Sequence, residues 1–475
     1  MGSNPFMQWL GSIISSISGY MYTYILVILL IAAGLYFTIR TRFVQFRLFG
    51  ESLRVVREKS SDGNGVSSFE ALMVSTASRV GTGNIAGVST ALCMGGVGAV
   101  FWMWLIAILG GASAFIESTL AQLYKVRDGK NGSRGGPAYY IEAVLHSRGL
   151  AAAFAVFLIL TYMVGFNMVA SYNLVDSFSG YGFFSGTTAA VAGGLLALLT
   201  AVCIFGGGKQ LTKITGVLVP VMGAAYVLMA LLMILLHIRL LPSVLAAIFA
   251  NAFDFEAIFG GFTGSAMMYG IKRGLFSNEA GVGSAPNAAA SAMVSHPVKQ
   301  GLVQMLSVFL DTLLICSATA FMCLCSGMAP DEALSGVPYV QAALASTFGQ
   351  FGTWFITGAM LLFAFTTILG NYYYCEGNLQ YLLRRDAKKW ELAVFRIIAA
   401  VIVFLGAQME FGLVWDTADV LMGCMALINL PVILILAKPA LLCLKDYLRQ
   451  KEEGKNPVFH AKDIGMKGVT EFWND

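Results

Sequence analysis

The chain has 475 residues, of which 57% are hydrophobic and only 12% are charged, and its formal net charge is +4. An ordinary soluble domain carries about 25% charged residues, and a folded surface cannot hide so large an apolar share from water. The composition therefore excludes a water-soluble protein and predicts an all-α polytopic membrane protein. The eight cysteines lie within or beside apolar stretches, and neither they nor the four scattered histidines form a metal-binding pattern.

Eleven apolar stretches are long enough to cross a bilayer as helices of about 20 residues. In chain order they cover residues 21–38, 69–93, 98–124, 150–171, 185–205, 214–236, 256–293, 301–325, 351–378, 392–407 and 415–438. The seventh is too long for one straight helix and contains internal glycines. Nothing basic precedes the first stretch, so no cleavable signal peptide is expected.

The distribution of lysine and arginine predicts the orientation. With eleven spans the two ends of the chain lie on opposite sides of the membrane, and the connecting segments alternate. One set of alternate segments holds 25 of the 30 basic residues, and the other set holds only Arg239. Because cytoplasmic loops are enriched in lysine and arginine, we expect the amino terminus outside the cell membrane and the carboxyl terminus in the cytoplasm.

The second span contains the sequence SRVGTGNIAG, residues 78–87, whose Gly81, Gly83 and Ala86 fit the G-x-G-x-x-G/A fingerprint of a dinucleotide-binding loop. Such a loop follows a β-strand and opens a helix within a βαβ unit. Here both flanks read as membrane segments, so a nucleotide site is not predicted. The glycines need another explanation.

A short sequence recurs at an offset of 194 residues, where residues 79–88 align without a gap with residues 273–282. The identical pairs are Arg79/Arg273, Asn84/Asn278, Ala86/Ala280, Gly87/Gly281 and Val88/Val282. At the same offset Glu117 in the third span aligns with Asp311 in the eighth. Five spans separate the two copies, and an odd number means that the second copy enters the membrane from the opposite side.

This recurrence predicts a 5+5 inverted repeat with one extra helix at the amino end, the architecture of many secondary transporters. The extra helix and the loop after it occupy residues 1–68. The first repeat covers residues 69–236 with helices 2–6, and the second covers residues 256–438 with helices 7–11. Residues 439–475 form a cytoplasmic tail.

Each repeat begins with a helix that we expect to be broken. Gly81 and Gly83 let the backbone leave helical geometry at mid-membrane depth, where only protein or a water-filled cavity can satisfy the freed amide and carbonyl groups. Half-helix amino ends favour a carboxylate, and carboxyl ends favour an ammonium group or a cation, so an amino-acid zwitterion with Na⁺ suits the arrangement. A glycine kink used only for helix packing is the alternative.

Four motifs resemble those of the sodium:alanine symporter family. They are GTGNIAGV (81–88), GGPAYYIE (135–142), RGLFSNEAGVGSAPNAAA (273–290) and FAFTTILGNYYYCEGN (363–378). The resemblance implies a leucine-transporter-type fold of the APC superfamily, with ten core helices plus one at the amino end. It also implies Na⁺-coupled uptake of small neutral amino acids, alanine or glycine, with H⁺ occasionally replacing Na⁺ and with no organic cofactor.

The same resemblance carries binding roles onto this chain. It places the substrate against Ala77, Ser78, Gly81, Thr82, Gly83, Asn84, Phe166, Asn167, Ala170, Gly274, Phe276, Ser277, Thr366 and Asn371. It places Na⁺ against the carbonyl oxygens of Ala77, Val80 and Phe363 and the hydroxyls of Thr366 and Thr367. Such oxygens suit a hard cation, although hydroxyls of adjacent threonines also bond back to their own helix.

Two departures from the family pattern bear on the substrate. Many alanine carriers of the family have tryptophan where this chain has Asn371 and glutamine where it has Ala170. Asn371 leaves more room than an indole and adds an amide that can form hydrogen bonds. A larger polar amino acid such as glutamine, serine or threonine, carried with Na⁺ or H⁺, is therefore the alternative substrate.

Charged residues inside the spans are costly in lipid and should face the bundle or water. Because Arg79 and Glu117 lie at similar depths, we predict the ion pairs Arg79–Glu117 and Arg273–Asp311, acting either as braces or as gates. Glu279, just past the second break, either faces the cytoplasmic exit or caps the half-helix.

Other functional classes lack their signatures. The sequence has no H-E-x-x-H, G-x-S-x-G or P-loop motif, so an enzyme is not predicted. It has no channel filter such as TVGYG, and broken helices in an inverted repeat favour a carrier. The expected partners are a small neutral amino acid, Na⁺ and the lipid bilayer, and no nucleic acid.

Overall fold

The computed structural model describes residues 5–60, 65–128, 132–206, 208–253, 265–466 and 468–473, and most of these residues are helical. The α-helices are Pro5–Tyr20, Val27–Arg40, Val44–Arg47, Phe49–Val56, Ser68–Arg79, Ala86–Gly95, Ala99–Leu123, Pro137–Leu145, Arg148–Ile159, Asn167–Asp176, Gly186–Phe205, Gly208–Leu236, Leu241–Ala252, Ala266–Asn278, Ala285–Ser291, Pro297–Val308, Ser317–Cys325, Val337–Phe348, Gln350–Leu383, Lys389–Gly406, Phe411–Ile435 and Ala437–Glu452.

Shorter elements join or interrupt these helices. Three π-helical segments are Met21–Leu26, Leu160–Phe166 and Phe309–Cys316, and 3₁₀ turns are Thr82–Asn84, Ile238–Leu240, Glu332–Leu334 and Ala461–Ile464. A hairpin pairs strand Val126–Asp128 antiparallel with strand Gly132–Arg134.

Within the described residues, eight helices are long and apolar enough to cross a membrane, and they coincide with the first, third, fourth, fifth, sixth, eighth, ninth and eleventh predicted spans. The second and seventh predicted spans are divided into shorter helices, and residues 256–264 of the seventh lie outside the described residues. The helix of the tenth, Lys389–Gly406, carries the charged residues Lys389, Glu391 and Arg396. The fold is that of a mostly helical, multi-pass membrane protein.

Serine residues begin the helices that lead into both breaks. Ser67 caps Ser68–Arg79 with a reciprocal box, in which its hydroxyl accepts from the amide of Glu70 and the Glu70 carboxylate accepts from the amide of Ser67. The hydroxyl of Ser265 likewise accepts from the amide of Met268 at 3.1 Å. These caps fix where each half-helix starts, and therefore how deep in the protein it ends.

Two helices, Ala99–Leu123 and Pro297–Val308, pack along each other beside the breaks. Gly301 permits this close approach, because a Cβ there would lie 2.8 Å from the carbonyl oxygen of Phe115. By contrast, Leu195 and Leu228, on two of the outer helices, are mostly exposed, as expected of side chains that face lipid. The centre of the molecule is thus built around the predicted breaks.

Candidate functional site

The first break lies between Ser68–Arg79 and Ala86–Gly95. Val80 and Gly81 leave helical geometry, and a single 3₁₀ turn, Thr82–Asn84, precedes the next helix. The side chain of Asn84 closes this turn, since its Oδ1 accepts from the amide of Gly81 at 2.8 Å. Gly81 is required here because a Cβ would collide with the Thr367 hydroxyl. The expected broken helix is therefore present.

The second break lies between Ala266–Asn278 and Ala285–Ser291. Glu279 is left-handed with φ of 53°, and Gly281 and Gly283 have φ of 83° and 94°, which other residues rarely adopt. The two glycines also allow close packing, because a Cβ on Gly283 would lie 2.8 Å from the Phe154 side chain. Six residues of irregular backbone are thereby buried opposite the first break.

A small cavity lies between the two breaks. It is lined by Ser78, Arg79, Gly81, Thr82, Gly83, Phe166, Val169, Phe276 and Thr367. Its volume is about 10 Å³, which leaves room for about one water molecule. Phe276 closes the cavity, since the centroid of its ring lies 4.6 Å from that of the Phe166 ring and 4.7 Å from that of the Trp415 ring. An amino acid would enter only after these aromatic rings separate.

Six of the fourteen residues predicted for the substrate line this cavity, together with Arg79 and Thr367 from the other predicted sets. Val169 is the one residue of this cavity wall that was predicted for neither substrate, cation nor gating. The predicted substrate residues that do not line the cavity are Ala77, Asn84, Asn167, Ala170, Gly274, Ser277, Thr366 and Asn371. Gly274 permits close packing, because a Cβ there would lie 2.7 Å from Ile106. Their part in substrate binding stays a prediction.

Asn371 does not line the cavity but is hydrogen-bonded to Ser78, which does. The Ser78 hydroxyl donates to Oδ1 of Asn371 at 2.9 Å, and Nδ2 of Asn371 donates to Oδ1 of Asn167 at the same distance. The Nδ2 atom of Asn167 is buried without a partner among the described residues. The amide side chains of Asn371 and Asn167 therefore form a hydrogen-bonded chain that starts at Ser78 in the cavity wall. It ends at the Nδ2 atom of Asn167, whose N–H groups have no acceptor among the described residues.

The two threonines of the predicted cation site differ. The Thr366 hydroxyl donates to the carbonyl oxygen of Leu362 at 2.9 Å, so it bonds back to its own helix. The Thr367 hydroxyl is buried, faces Gly81, and has no partner among the described residues. A buried oxygen without a partner beside an unwound backbone fits a hard cation that requires oxygen ligands.

Neither predicted ion pair forms. Arg79 instead donates from Nη1 to the carbonyl oxygen of Gln304 at 3.3 Å, and its Nε and Nη2 atoms have no partner in the described part of the chain. Arg273 pairs with Asp419 at 2.9 Å, which Lys272 also contacts at 2.9 Å. The guanidinium carbon of Arg273 lies 4.4 Å from the ring centroid of Trp415.

The two acids contact the breaks in a crossed pattern. Glu117, in the third predicted span, accepts from the amide of Gly281 in the second break at 3.3 Å and from Asn429 at 2.8 Å. Asp311, in the eighth, accepts from Asn84 in the first break at 2.6 Å and from Ser277 at 2.7 Å. Similar depth alone did not predict this, because depth does not specify the face of a helix. Whether these charges brace or gate stays a prediction.

Sequence reasoning missed Trp415 and Asp419 altogether. Both lie on Phe411–Ile435 and contact the half-helix Ala266–Asn278 through Phe276 and Arg273. The only signal for Asp419 was an acidic residue inside an apolar span, which is expected to face a partner. Glu279 was expected just past the second break, but it is the first residue of that break; it is buried, and Ser284 donates to it at 2.6 Å.

Comparison with known proteins identifies the family of the chain. The sodium:alanine symporter family matches residues 7–461. The amino-acid carrier protein AlsT of Bacillus subtilis is 46% identical over 98% of both chains. In the same organism the probable sodium/glutamine symporter GlnT is 45% identical over 98% of this chain and 96% of its own. The putative sodium/proton-dependent alanine carrier YrbD is 43% identical over 97% of both chains. The chain belongs to the sodium:alanine symporter family and is a membrane transporter, not an enzyme.

Proposed function

We propose that this protein couples the entry of Na⁺ to the import of a small neutral amino acid, alanine or glycine, by alternating access. The observation that carries the proposal is the buried, unpartnered hydroxyl of Thr367 (among the described residues) beside Gly81, where the unwound backbone borders the cavity. The names of the sodium- and alanine-dependent relatives support it. No organic cofactor is needed for this reaction.

The architecture proposed with it is an eleven-helix fold of the leucine-transporter type, within the APC superfamily. Helices 2–6 and 7–11 form the inverted repeat, over residues 69–236 and 256–438, and residues 1–68 and 439–475 flank them. The crossed contacts of Glu117 and Asp311, which align at one offset, support this symmetry. In the cell membrane the amino terminus lies outside and the basic tail lies inside.

In this mechanism the breaks recognise the two charged ends of the substrate. The amides of Thr82 and Gly83 hold the carboxylate at the amino end of the outer half-helix. The carbonyl oxygens near Ala77 and Ser78 face the ammonium group. The aromatic rings of Phe166 and Phe276 then exclude water from the bound substrate.

Na⁺ binds as a co-substrate on the other side of the first break. Its ligands are the Thr367 hydroxyl and the carbonyl oxygens of Ala77, Val80 and Phe363, with the Thr366 hydroxyl joining after it rotates away from its own helix. Because these oxygens come from the broken helix and from Gln350–Leu383, the ion holds the two together. Binding of Na⁺ thereby orders the backbone that the amino acid requires.

Arg273 and Asp419 are proposed to close the outer side. The ion pair and Trp415 join the half-helix Ala266–Asn278 to Phe411–Ile435 above Phe276. Opening to the outside requires this contact to separate. Truncation of one partner of a buried ion pair costs about 3–5 kcal/mol because the other charge is left unpaired, so removal of Asp419 alone should destabilise the closed state.

A larger polar substrate such as glutamine is the second candidate. The amide chain from Ser78 through Asn371 to Asn167 ends in a spare buried donor, which a substrate amide or hydroxyl could use after a side-chain shift. The 45% identity to a probable sodium/glutamine symporter supports this candidate as well. An H⁺ gradient is the alternative driving force, in line with the name of YrbD.

Uptake of radiolabelled alanine into proteoliposomes tests these candidates. An inward Na⁺ gradient should drive uptake, and unlabelled glycine should compete better than glutamine. Stronger competition by glutamine would favour the second candidate. Uptake that responds only to a pH gradient would contradict the sodium site at Thr367.

A further inference from the structure

A second cavity lies at the end of the bundle that carries the basic loops. It is bounded by the strands Val126–Asp128 and Gly132–Arg134, the half-helix Ala285–Ser291 and the long helix Gln350–Leu383. Its volume is about 150 Å³, much larger than the closed cavity between the breaks. Glu376 in its wall follows Asn371 by five residues on the same helix, which is a rise of about 7.5 Å. The second cavity therefore lies about one and a half helical turns from the proposed substrate site.

Charges of both signs line this cavity. Arg134 contributes its guanidinium, whose Nη1 bonds Gln380 and Asp386 at 3.1 Å each, while its buried Nε has no partner among the described residues. Glu376 contributes a carboxylate whose contact with Arg396 is long, at 3.9 Å. Arg134 also lies 3.7 Å from Asp128, so a ligand in this cavity exchanges existing ionic contacts of Arg134 and Glu376 for its own.

The composition of this wall selects among small ligands. A simple anion would be attracted by Arg134 but repelled by Glu376 and Asp128, which also lines the cavity. A simple cation would be attracted by the two carboxylates but repelled by Arg134, and it would leave the guanidinium without a ligand contact. A zwitterionic α-amino acid satisfies both charges, because its carboxylate can accept from Arg134 while its ammonium group donates to Glu376. Tyr139 and Tyr373, also in the wall, add aromatic surface and hydroxyls for a side chain.

Hydrogen-bonded side chains connect the two cavities. The Ser78 hydroxyl in the first cavity lies 3.3 Å from Oε1 of Glu279, and Ser284 donates to Oε2 of Glu279 at 2.6 Å. Nδ2 of Asn287 donates to the carbonyl oxygen of Ser284 at 2.7 Å, and Asn287 lines the second cavity. Asn378, on the long helix, donates to Oδ1 of Asn287 at 2.9 Å.

We propose that the second cavity is a release site, in which a zwitterionic amino acid binds between Arg134 and Glu376 after it leaves the breaks along the path of Glu279, Ser284 and Asn287. The inference rests on the proposed function, because it takes the transported amino acid as the ligand. In the closed structure the Asn287–Asn378 bond lies across this path. Movement of Ala285–Ser291 away from Gln350–Leu383 breaks that bond and opens the path.

Uptake measured from each face of the membrane tests the release site. Right-side-out and everted vesicles from cells producing the full chain expose the outer and the cytoplasmic face in turn. Na⁺-dependent uptake of radiolabelled alanine gives KM and the maximal rate at each face. The variants are Arg134→Gln, Glu376→Gln and the conservative Arg134→Lys. Arg148→Gln is the control, because Arg148 is an exposed arginine at the start of the helix Arg148–Ile159.

A release site makes the two faces respond differently. Arg134→Gln and Glu376→Gln should each raise the KM at the cytoplasmic face about tenfold, the usual scale for a lost hydrogen bond to a charged group. They should leave the KM at the outer face within about twofold and should not lower the maximal rate in everted vesicles. Arg134→Lys should recover part of the cytoplasmic affinity, and Arg148→Gln should match the wild type.

Other results overturn the inference. An unchanged cytoplasmic KM in both Gln variants, or equal shifts at both faces, would show that Arg134 and Glu376 do not bind the substrate there. A fall in the maximal rate at both faces would indicate a structural role only. Each Gln variant is decisive by itself if the other fails to reach the membrane. Failure of the proposed function is a distinct result, because the wild type would then show no Na⁺-dependent alanine uptake in either vesicle.

Discussion

Replacement of Thr367 by valine separates a sodium ligand from an ordinary buried threonine. The side chains have nearly the same shape, so packing is retained and only the hydroxyl is lost. Because that hydroxyl is buried without a partner among the described residues, it costs the Na⁺-free protein about 1–3 kcal/mol. Thr367→Val should therefore be at least as stable as the wild type when Na⁺ is replaced by choline.

Addition of Na⁺ should narrow that difference, because the ion stabilises the wild type more than the variant. A ligand present at 100 times its dissociation constant stabilises the protein by about 2.7 kcal/mol. Loss of one ligand that weakens the affinity about tenfold removes about 1.4 kcal/mol, so about half of the stabilisation by Na⁺ should remain at the same concentration. The measurement is the apparent Tm of the purified protein, titrated with NaCl at constant ionic strength.

Thr119→Val is the matched control, because the Thr119 hydroxyl is also buried but donates to the carbonyl oxygen of Phe115 at 2.7 Å. It should lower the Tm slightly in choline and leave the response to Na⁺ unchanged. The assignment of the hydroxyl to the ion would be refuted if Thr367→Val had a lower Tm than the wild type in choline and if Na⁺ raised its Tm as much as that of the wild type.

Three further changes have distinct expected results. Gly83→Ala places a Cβ 2.8 Å from Phe276, so alanine uptake should fall at least tenfold (about 1.4 kcal/mol) at normal expression, and wild-type uptake would contradict the closure described at the breaks. Asn371→Leu removes the amide chain from the cavity wall, so the inhibition constant of glutamine should rise about tenfold relative to that of alanine; equal shifts for both would exclude a role in selectivity. Burial lowers the pKa of His296, so the unfolded chain binds more protons below about pH 6.5, and stability should fall between pH 7.5 and 5.5. In His296→Asn that fall should be smaller in a thermal-shift series, and an identical slope would assign the effect to other groups.

Several features of the fold were predictable because they depend on local composition. Long apolar runs give helices that cross the membrane, and eight of the predicted spans are found as such helices in the described residues. Gly81 and Gly83 marked the first break, because irregular backbone at close quarters requires residues without a Cβ. Gly281 and Gly283, which lie in the second break, were not assigned that role from the sequence. Apolar runs and glycine positions can be read from one segment of sequence without knowing which helix packs against it.

The partners of the buried charges were not predictable in the same way. Arg273 was expected to meet Asp311, yet it pairs with Asp419 on a helix more than a hundred residues away in sequence. Asp311 instead accepts from Asn84 and Ser277, at the junction of the two breaks. Helical depth can be counted along a sequence, but the face that meets a neighbour depends on how the helices are rotated and packed.

The sequence by itself determined that the chain spans a membrane and that one helix breaks at Gly81 and Gly83, since hydropathy and glycine position are properties of short segments. Only the tertiary structure decided that Phe276 closes the cavity against Phe166 and Trp415, that Thr367 lacks a partner among the described residues where Thr366 has one, and that a second cavity with Arg134 and Glu376 lies below Asn371. These features join residues that are distant along the chain, and only packing brings such residues within a few ångströms of one another.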